Sequence, residues 1–180
     1  MLSPKDIVLV ARMREAGIRN PIWTLQAARK TGLPVPLACA LLDQETGGGR
    51  NVWGHDPTIY IGGPTGDNRT VTQADYLAYK KKRGVNGQGG MQGVGPCQLT
   101  YYSYQDKADT LGGCWTPLAN LTVGFELAAT LIRRNGIHPG VAAYNGSGPA
   151  AEHYADSVLA RETVWAKRLG VPSIVFTKKP

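Results

Sequence analysis

Apolar residues recur at helical spacing along most of the chain, and two glycine-rich stretches interrupt the pattern. The spacing of three to four residues is that of one face of a helix, and it appears in six segments. Some of these segments carry end signals: Ser3 and Pro4 open the first, Gly47 closes the third and Thr72 precedes the fourth. The six predicted helices cover residues about 4–16, 21–32, 35–46, 73–84, 118–136 and 150–169.

The glycine-rich stretches lie in the middle of the chain, at about 47–71 and 85–100. Within the first, Thr58–Ile61 is a candidate short strand of a small hairpin. Neither stretch contains the glycine and lysine pattern of a P-loop, and no strand precedes a G-x-G-x-x-G segment, so a nucleotide site is not predicted. We expect a single domain over residues 1–180, mainly α, with a loop-rich and partly β insertion at about 47–71.

The chain carries a formal net charge of +7. A basic protein favours anionic partners such as nucleic acid, a membrane surface or an acidic cell-wall polymer. The basic residues are dispersed, however, and the densest run, Lys80–Arg83, ends a predicted helix, where cations complement the helix dipole. We therefore expect no nucleic-acid partner. We also expect no membrane insertion and no signal peptide, because the apolar runs are too short and charges interrupt the N-terminal one.

The three cysteines are too few for a disulfide scaffold, and their spacing fits no zinc motif. Cys39 lies in an apolar helix and is expected in the core. Cys97 and Cys114 flank glycine-rich turns and either form a disulfide, if the protein works in oxidising surroundings, or remain free. The histidines are scattered and show no metal-binding pair, so no metal or cofactor is expected: His55, His138 and His153.

An acidic residue lies on the apolar face of the third helix, close to the end of that helix. The face combines three apolar residues with one acid: Ala38, Leu41, Leu42 and Glu45. Burial and the negative end of the helix dipole both raise the pKa of a carboxyl group, as a general acid requires. Asp43 lies on another face and is expected to be solvated. The alternative is that Glu45 is a surface residue paired with Arg50 or a lysine.

Three later segments change the interpretation of Glu45. In Gly93–Thr100, glycines followed by Gln98 indicate a closely packed backbone with an amide facing a ligand, or an ordinary loop entering a helix. Gly124 interrupts a helical pattern at a cost of about 1 kcal/mol relative to alanine, which predicts close packing there. Tyr144 and Asn145 precede a glycine-rich turn, and a tyrosine hydroxyl can orient a carboxyl group.

In this order, the motifs resemble those of the lysozyme-like lytic transglycosylases, a family that includes goose-type lysozymes. The resemblance covers roughly Pro34 to Trp165 and is similar in kind to the wall-lysing domains of bacteriophage endolysins. This chain has Thr46 where the family usually has serine, and Pro96-Cys97 where Leu-Met is common. The matching segments are "ETGG" at Glu45, "GVGPCQL" with Gln98, "NLTVG" at Asn120–Gly124, and "AAYNGSG" with Tyr144 and Asn145.

The resemblance implies a lysozyme-like α+β fold whose insertion lines a glycan cleft. It also implies cleavage of the β-1,4 bond between N-acetylmuramic acid and N-acetylglucosamine in peptidoglycan. Glu45 would be the general acid. The reaction would end either in a 1,6-anhydro product or in hydrolysis assisted by a second carboxylate. Asp56 is the preferred candidate for that carboxylate and Asp67 the other.

The resemblance further implies that Tyr144 orients Glu45, and that sugar contacts come from Gln98, Asn145 and Thr46. Aromatic side chains offer faces for stacking on sugar rings, and the candidates are Trp53, Tyr101 and Tyr102. The expected protein is a monomer that acts on the glycan strands of the bacterial wall. It would be made in the host cytoplasm and released through a holin or carried in the virion.

Three other functions compete with this interpretation. A catalytically silent glycan-binding or phage tail-structural domain would share the fold, although the presence of Glu45 argues against it. A nucleic-acid-binding helical domain is suggested by the charge alone. A chitinase-type enzyme of related fold would differ in its substrate, and activity on chitin against activity on peptidoglycan would separate the two.

Overall fold

The structure is a computed structural model that describes residues 2–54 and 69–174. This part of the chain is mainly helical, as the sequence pattern predicts. Its helices, in chain order, are α1 (Pro4–Glu15), α2 (Pro21–Thr31), α3 (Val35–Thr46), α4 (Gln73–Arg83), α5 (Tyr102–Asp109), α6 (Pro117–Asn135), α7 (Ile137–Asn145) and α8 (Pro149–Leu169).

The six predicted helices are confirmed, and their capping signals act as expected. Ser3 accepts a hydrogen bond from the backbone N–H of Asp6, and the Asp6 carboxylate accepts one in return from Ser3. Thr72 caps α4 through the backbone N–H of Asp75. Gly47 ends α3 in the left-handed conformation, with φ of 58°.

Two helices, α5 and α7, are not among the six predicted ones, although one of the two interpretations of Gly93–Thr100 was a loop that enters a helix. Helix α5 has only eight residues, and Tyr101 at its N-cap makes no side-chain capping bond. Helix α7 begins directly after Gly136 and contains Pro139 and Gly140, which are breaker residues in a sequence pattern. Its first turn is possible because Gly140 lies against the backbone of α6, where a Cβ would approach the Ile132 Cα to 2.5 Å.

Helix α3 is the most enclosed element around the candidate site. Seven consecutive residues, 36–42, are buried, and the helix packs against α2 and α8. Helix α6 packs against α2, α5 and α7, and helix α8 packs against α1, α3 and α7, so α7 contacts both long helices while α3 contacts α8. The polar residues of α3 all lie in its last turn, which is therefore the place where the core meets the candidate site.

The β structure of the described residues is limited to two isolated antiparallel bridges, Val52 with Thr70 and Trp53 with Val94. The first bridge joins the two ends of the first glycine-rich stretch, and the second bridge joins that stretch to the second one. The predicted strand Thr58–Ile61 and its hairpin lie outside the described residues. Within the described part, no helix has the length and apolar character needed to cross a membrane.

Candidate active site

The last turn of α3 is held by side chains of α8. Three of its four polar residues each accept a hydrogen bond from that helix: Asp43 from Trp165 Nε1 at 3.3 Å, Gln44 from Ser157 Oγ at 2.9 Å, and Glu45 from the Tyr154 hydroxyl. Successive side chains of a helix point in different directions, so these three neighbouring residues of α3 reach different positions along α8. The carboxyl group of Glu45 is thereby fixed in orientation.

Glu45 is partly buried, and its protonation differs from that of a surface carboxyl. Burial raises the pKa of Glu45 from its ordinary value of 4.5 to about 7, while the hydrogen bond from Tyr154 opposes this rise in pKa. The group therefore keeps its proton in a large fraction of molecules near neutral pH. It is suited to donate that proton to a leaving group.

The negative end of the α3 dipole is neutralised from the following loop. The Nε of Arg50 donates to the carbonyl oxygen of Thr46 at 2.8 Å, so a guanidinium group lies at the helix terminus. Arg50 thus acts on the backbone of α3. Of the two sequence interpretations of Glu45, the described contacts agree with the enclosed carboxyl, which is bonded to Tyr154.

Tyr144 does not make the contact expected of it. Its hydroxyl donates to the carbonyl oxygen of Cys97 at 3.0 Å, and Tyr154 takes the position on Glu45 that the sequence interpretation assigned to Tyr144. Burial raises the pKa of Tyr144 well above its ordinary value, and the charges of Cys97 and Glu45 add to this rise. The correction follows from α7, whose last turn points the Tyr144 side chain at the loop before α5.

That loop, residues 93–98, is fixed to both α3 and α6. Thr46 Oγ1 donates to the carbonyl oxygen of Pro96 at 3.0 Å. The Asn120 carboxamide accepts from the Cys97 N–H at 2.9 Å and donates to the Val94 carbonyl oxygen at 2.8 Å. The polar groups in these three hydrogen bonds are buried, and each has a partner. The bonds therefore hold the loop in one defined conformation beside Glu45.

Gly124 admits this loop to the surface of α6. A Cβ at residue 124 would lie 2.4 Å from Cys97 Cβ, 2.6 Å from Cys97 Sγ and 3.3 Å from the Tyr144 hydroxyl oxygen. The close packing predicted for Gly124 is confirmed, and its partner is the loop and α7.

The three residues expected to contact sugar differ in their exposure to solvent and in their hydrogen-bond partners. Thr46 is 4% exposed and its hydroxyl donates to the carbonyl oxygen of Pro96. It therefore holds the loop in place and does not face a ligand. Gln98 is half-buried with φ of 47°, and its amide donates to the carbonyl oxygens of Val52 and Gly95. Asn145 is exposed at the last residue of α7.

The aromatic residues expected to stack on sugar also differ in their exposure to solvent. Trp53 is 1% exposed and packs edge-on to Tyr79 with ring centroids 5.2 Å apart, so its ring is a core group and has no face for a sugar. Tyr101 is 49% exposed and contacts Tyr102, with ring centroids 4.6 Å apart. Tyr101 therefore remains available as a surface ring.

The expected second carboxylates, Asp56 and Asp67, lie outside the described residues, as does His55. His138 lies between two acids of α8, with 3.5 Å from Nδ1 to Glu152 and 2.9 Å from Nε2 to Asp156. Within residues 2–54 and 69–174, no group of three His, Cys, Asp or Glu side chains is arranged to hold a metal ion.

The three cysteines are free thiols, and all are buried. Cys97 and Cys114 are not bridged: the Asn120 carboxamide accepts from the Cys97 N–H, and its Nδ2 lies 3.6 Å from Cys114 Sγ. Burial raises the pKa of Cys114 to about 12 and that of Cys97 well above its ordinary value. Both groups are therefore kept as thiols.

Tyr154 is the site residue that sequence reasoning missed. Helical spacing from the buried residues Ala151 and Val158 places Tyr154 on the inner face of α8, and this signal was present in the sequence. The spacing does not say which residue of another helix lies opposite, since that depends on how α8 crosses α3. The partner of Glu45 was therefore not predictable from periodicity alone.

Comparison of the chain with protein-family models, with curated proteins and with solved structures gave no significant match.

Proposed function

We propose that this protein cleaves the β-1,4 bond between N-acetylmuramic acid and N-acetylglucosamine in bacterial peptidoglycan, through a lysozyme-like fold. The observation that carries the proposal is the carboxyl of Glu45, enclosed at the end of α3 with its pKa raised to about 7 and oriented by Tyr154. The sequence motifs around Gln98, Gly124 and Tyr144 support it, because the contacts of Cys97 and Tyr144 bring these three segments together beside that helix.

The reaction begins with proton transfer from Glu45 to the glycosidic oxygen as the bond from that oxygen to the muramic C1 breaks. Positive charge then develops on the muramic sugar, and Glu45 is left as a carboxylate. Tyr154 stabilises the carboxylate, because a hydrogen bond to the charged form favours that form. The carboxylate next acts as a base and removes a proton from the attacking hydroxyl group.

The attacking hydroxyl belongs either to the same sugar or to water. Attack by the 6-hydroxyl of the muramic sugar gives a 1,6-anhydro product and needs no second carboxylate. Attack by water gives a reducing end, and in this route Asp56 or Asp67 would assist. In either route, no metal or other cofactor is required.

In this proposal the wall glycan is the partner and the protein works as a monomer at the bacterial wall, as an endolysin or a virion-associated enzyme does. Tyr101 is the exposed ring available to stack on the glycan. Asn145, exposed at the end of α7, is the amide available for a sugar hydrogen bond.

The test is mass spectrometry of the soluble products from purified peptidoglycan, with wild type and Glu45→Gln compared. Glu15→Gln is the matched control, since Glu15 is an exposed carboxyl on α1. We expect muropeptides with wild type and Glu15→Gln and at least a 10²-fold loss with Glu45→Gln. Anhydro ends would establish transglycosylation, and reducing ends would establish hydrolysis.

If several wall types yield no product that depends on Glu45, the proposal fails. A non-catalytic glycan-binding or tail-structural domain would then be the better description. Cleavage of chitin in preference to peptidoglycan would instead assign the enzyme to the chitinase type.

A further inference from the structure

The backbone around Glu45 contributes little to holding this residue in one orientation. Glu45 lies in the last turn of α3, and the carbonyl groups of a last turn have no partners within their own helix. The chain then passes through three consecutive glycines with positive φ: Gly47 at 58°, Gly48 at 97° and Gly49 at 83°. Glycine is the least restricted residue, so this turn adds no stiffness. The orientation of Glu45 therefore depends largely on side-chain contacts of the last turn.

The contacts with α8 come from a single stripe of that helix. Its members recur at intervals of three and four residues, as residues on one helix face do: Tyr154, Ser157, Arg161 and Trp165. The stripe begins well inside α8, which is 21 residues long, and away from the end that follows the glycine-rich turn. The stripe is therefore the fixed side of the contact, and the end of α3 is the side that can move.

Gln44 makes two close contacts with this stripe through one atom. Its Oε1 accepts from Ser157 Oγ at 2.9 Å and from Arg161 Nε at 3.0 Å. Asp43 is held less closely, at 3.3 Å from Trp165 Nε1 and 3.8 Å from Arg161 Nη1. The two donors to Gln44 come from successive turns of α8, so a movement that shortens one bond lengthens the other. This pair of hydrogen bonds on Oε1 is called here the Gln44 clamp.

We propose that Gln44 is a positioning residue, which holds the end of α3 against α8 so that Tyr154 can donate to Glu45. Gln44 directly precedes Glu45, and Ser157 follows Tyr154 by less than one turn, so the clamp and the Tyr154 bond are neighbours on both helices. Loss of the clamp would let the end of α3 turn away from Tyr154. The role rests on the proposed function, since the orientation of this carboxyl matters to the reaction only if Glu45 is its acid.

A contact that served packing alone would have a different effect. The apolar residues before the clamp, Leu41 and Leu42, are buried and hold α3 in the core independently of Gln44. If Gln44 only added to this packing, its loss would lower the free energy of unfolding and leave the Tyr154 bond to Glu45 as it is. The two roles are separated by measuring how strongly Tyr154 and Glu45 interact, with and without the clamp.

The experiment measures the pKa of Glu45 in the full chain by NMR titration of its isotope-labelled carboxyl carbon. Tyr154→Phe is compared with its parent twice, once in wild type and once in Gln44→Leu. In wild type, loss of the Tyr154 hydroxyl should raise the pKa of Glu45, because that hydroxyl lowers it. We expect this rise in pKa to shrink by about half or more in Gln44→Leu. An undiminished rise, or no rise in wild type, would overturn the proposal.

Two further backgrounds make the result specific to the clamp. Gln26→Leu makes the same chemical change at an exposed position of α2, and we expect the full rise in the pKa of Glu45 there. A diminished rise in that background would overturn the proposal. Should Gln44→Leu be unstable in thermal melts, Ser157→Ala/Arg161→Gln removes both donors and keeps Gln44. The lost charge acts on both members of the comparison and cancels, so the same reduction is expected and an undiminished rise again overturns the proposal.

Kinetics relate the clamp to the proposed cleavage. Gln44→Leu should lower kcat about tenfold and change KM less than about twofold, because Glu45 loses its orientation while the exposed surface that would meet the glycan is unaltered. An unchanged kcat would contradict the positioning role. The NMR titration needs no substrate, so it tests the clamp even if no Glu45-dependent cleavage is found. An undiminished rise in the pKa would, in turn, leave the proposed cleavage intact.

Discussion

At the scale of single residues, the carboxyl of Glu45 lies where its charged form is unfavourable. The folded protein retains the Glu45 proton up to a pKa of about 7, whereas the ordinary pKa of glutamate is 4.5. Between these two values the folded state binds more protons than the unfolded state. The free energy of unfolding therefore falls as the pH rises through this interval, by at most about 3 kcal/mol from this residue.

Glu45→Gln should remove this pH dependence, because the amide is neutral at every pH. We expect the variant to gain stability relative to wild type as the pH rises from 5 to 8, with the gain reaching about 2 kcal/mol. Urea unfolding at pH 5, 6, 7 and 8 measures it. Glu15→Gln reports the general effect of losing one negative charge, and an equal gain in both variants would contradict a special environment for Glu45.

Tyr154→Phe tests the effect of the Tyr154 hydrogen bond on the pKa of Glu45. The Tyr154 hydroxyl lowers the pKa of Glu45, so its removal raises that pKa further. Because a general acid must be protonated, the alkaline limb of the kcat/KM profile for glycan cleavage should move to higher pH, while kcat falls by about tenfold through lost orientation.

Tyr144→Phe is the matched control, since it removes a hydroxyl bonded to Cys97 instead of to Glu45. We expect the alkaline limb to stay in place in this variant. A shift in Tyr144→Phe together with none in Tyr154→Phe would restore the role first assigned to Tyr144 from its sequence motif.

At the scale of helices, the sequence predicts the helices that apolar spacing and capping residues define. It misses the features that depend on how helices pack against each other. Six helices follow from apolar spacing and caps such as Ser3 and Gly47. Helix α7 was missed because Pro139 and Gly140 read as breakers, while the contact of Gly140 with α6 explains the glycine. The same limit applies to the site: Glu45 could be selected from its helix face, but Tyr154 reaches it only through the crossing of α3 and α8.

The basic run at the end of α4 contains residues with different roles. Lys81 and Lys82 are exposed, but Arg83 is buried, and its guanidinium donates to Gln105 and Asp106 of α5. Arg83→Met should therefore destabilise the protein by about 3 kcal/mol, because it removes one partner of a buried network. Lys82→Met should cost less than about 0.5 kcal/mol. Similar values in urea unfolding would mean that the whole run is only a solvated helix end.

Gly124 gives a prediction whose sign is informative. A Gly→Ala change inside a helix ordinarily stabilises it by about 1 kcal/mol. Here the added Cβ would meet Cys97 at 2.4 Å, so we expect Gly124→Ala to destabilise the protein by about 1–3 kcal/mol and to displace the loop beside Glu45. Urea unfolding measures the first effect and glycan cleavage the second. A stabilised variant would show that α6 and the loop are not packed in this way.

At the scale of the whole molecule, charge and the site act on different steps. In the proposed function, the net charge of +7 would attract anionic wall material over a distance that salt screens, to about 3 Å at 1 M. This attraction would affect encounter and binding. Glu45 would affect the chemical step, because the proton it is proposed to donate is largely present only below the pKa of about 7.

Salt and pH should therefore change different kinetic parameters of wall cleavage. Raising NaCl from about 0.05 to 0.5 M should raise KM for insoluble walls severalfold and leave kcat unchanged, because only long-range attraction is screened. Raising the pH from 6 to 8 should lower kcat about tenfold, because the acid loses its proton over this range. Initial rates on walls of known concentration separate the two parameters. A fall in kcat with salt would mean that bound glycan itself is held by exposed charges, and a kcat independent of pH would mean that Glu45 is not the proton donor.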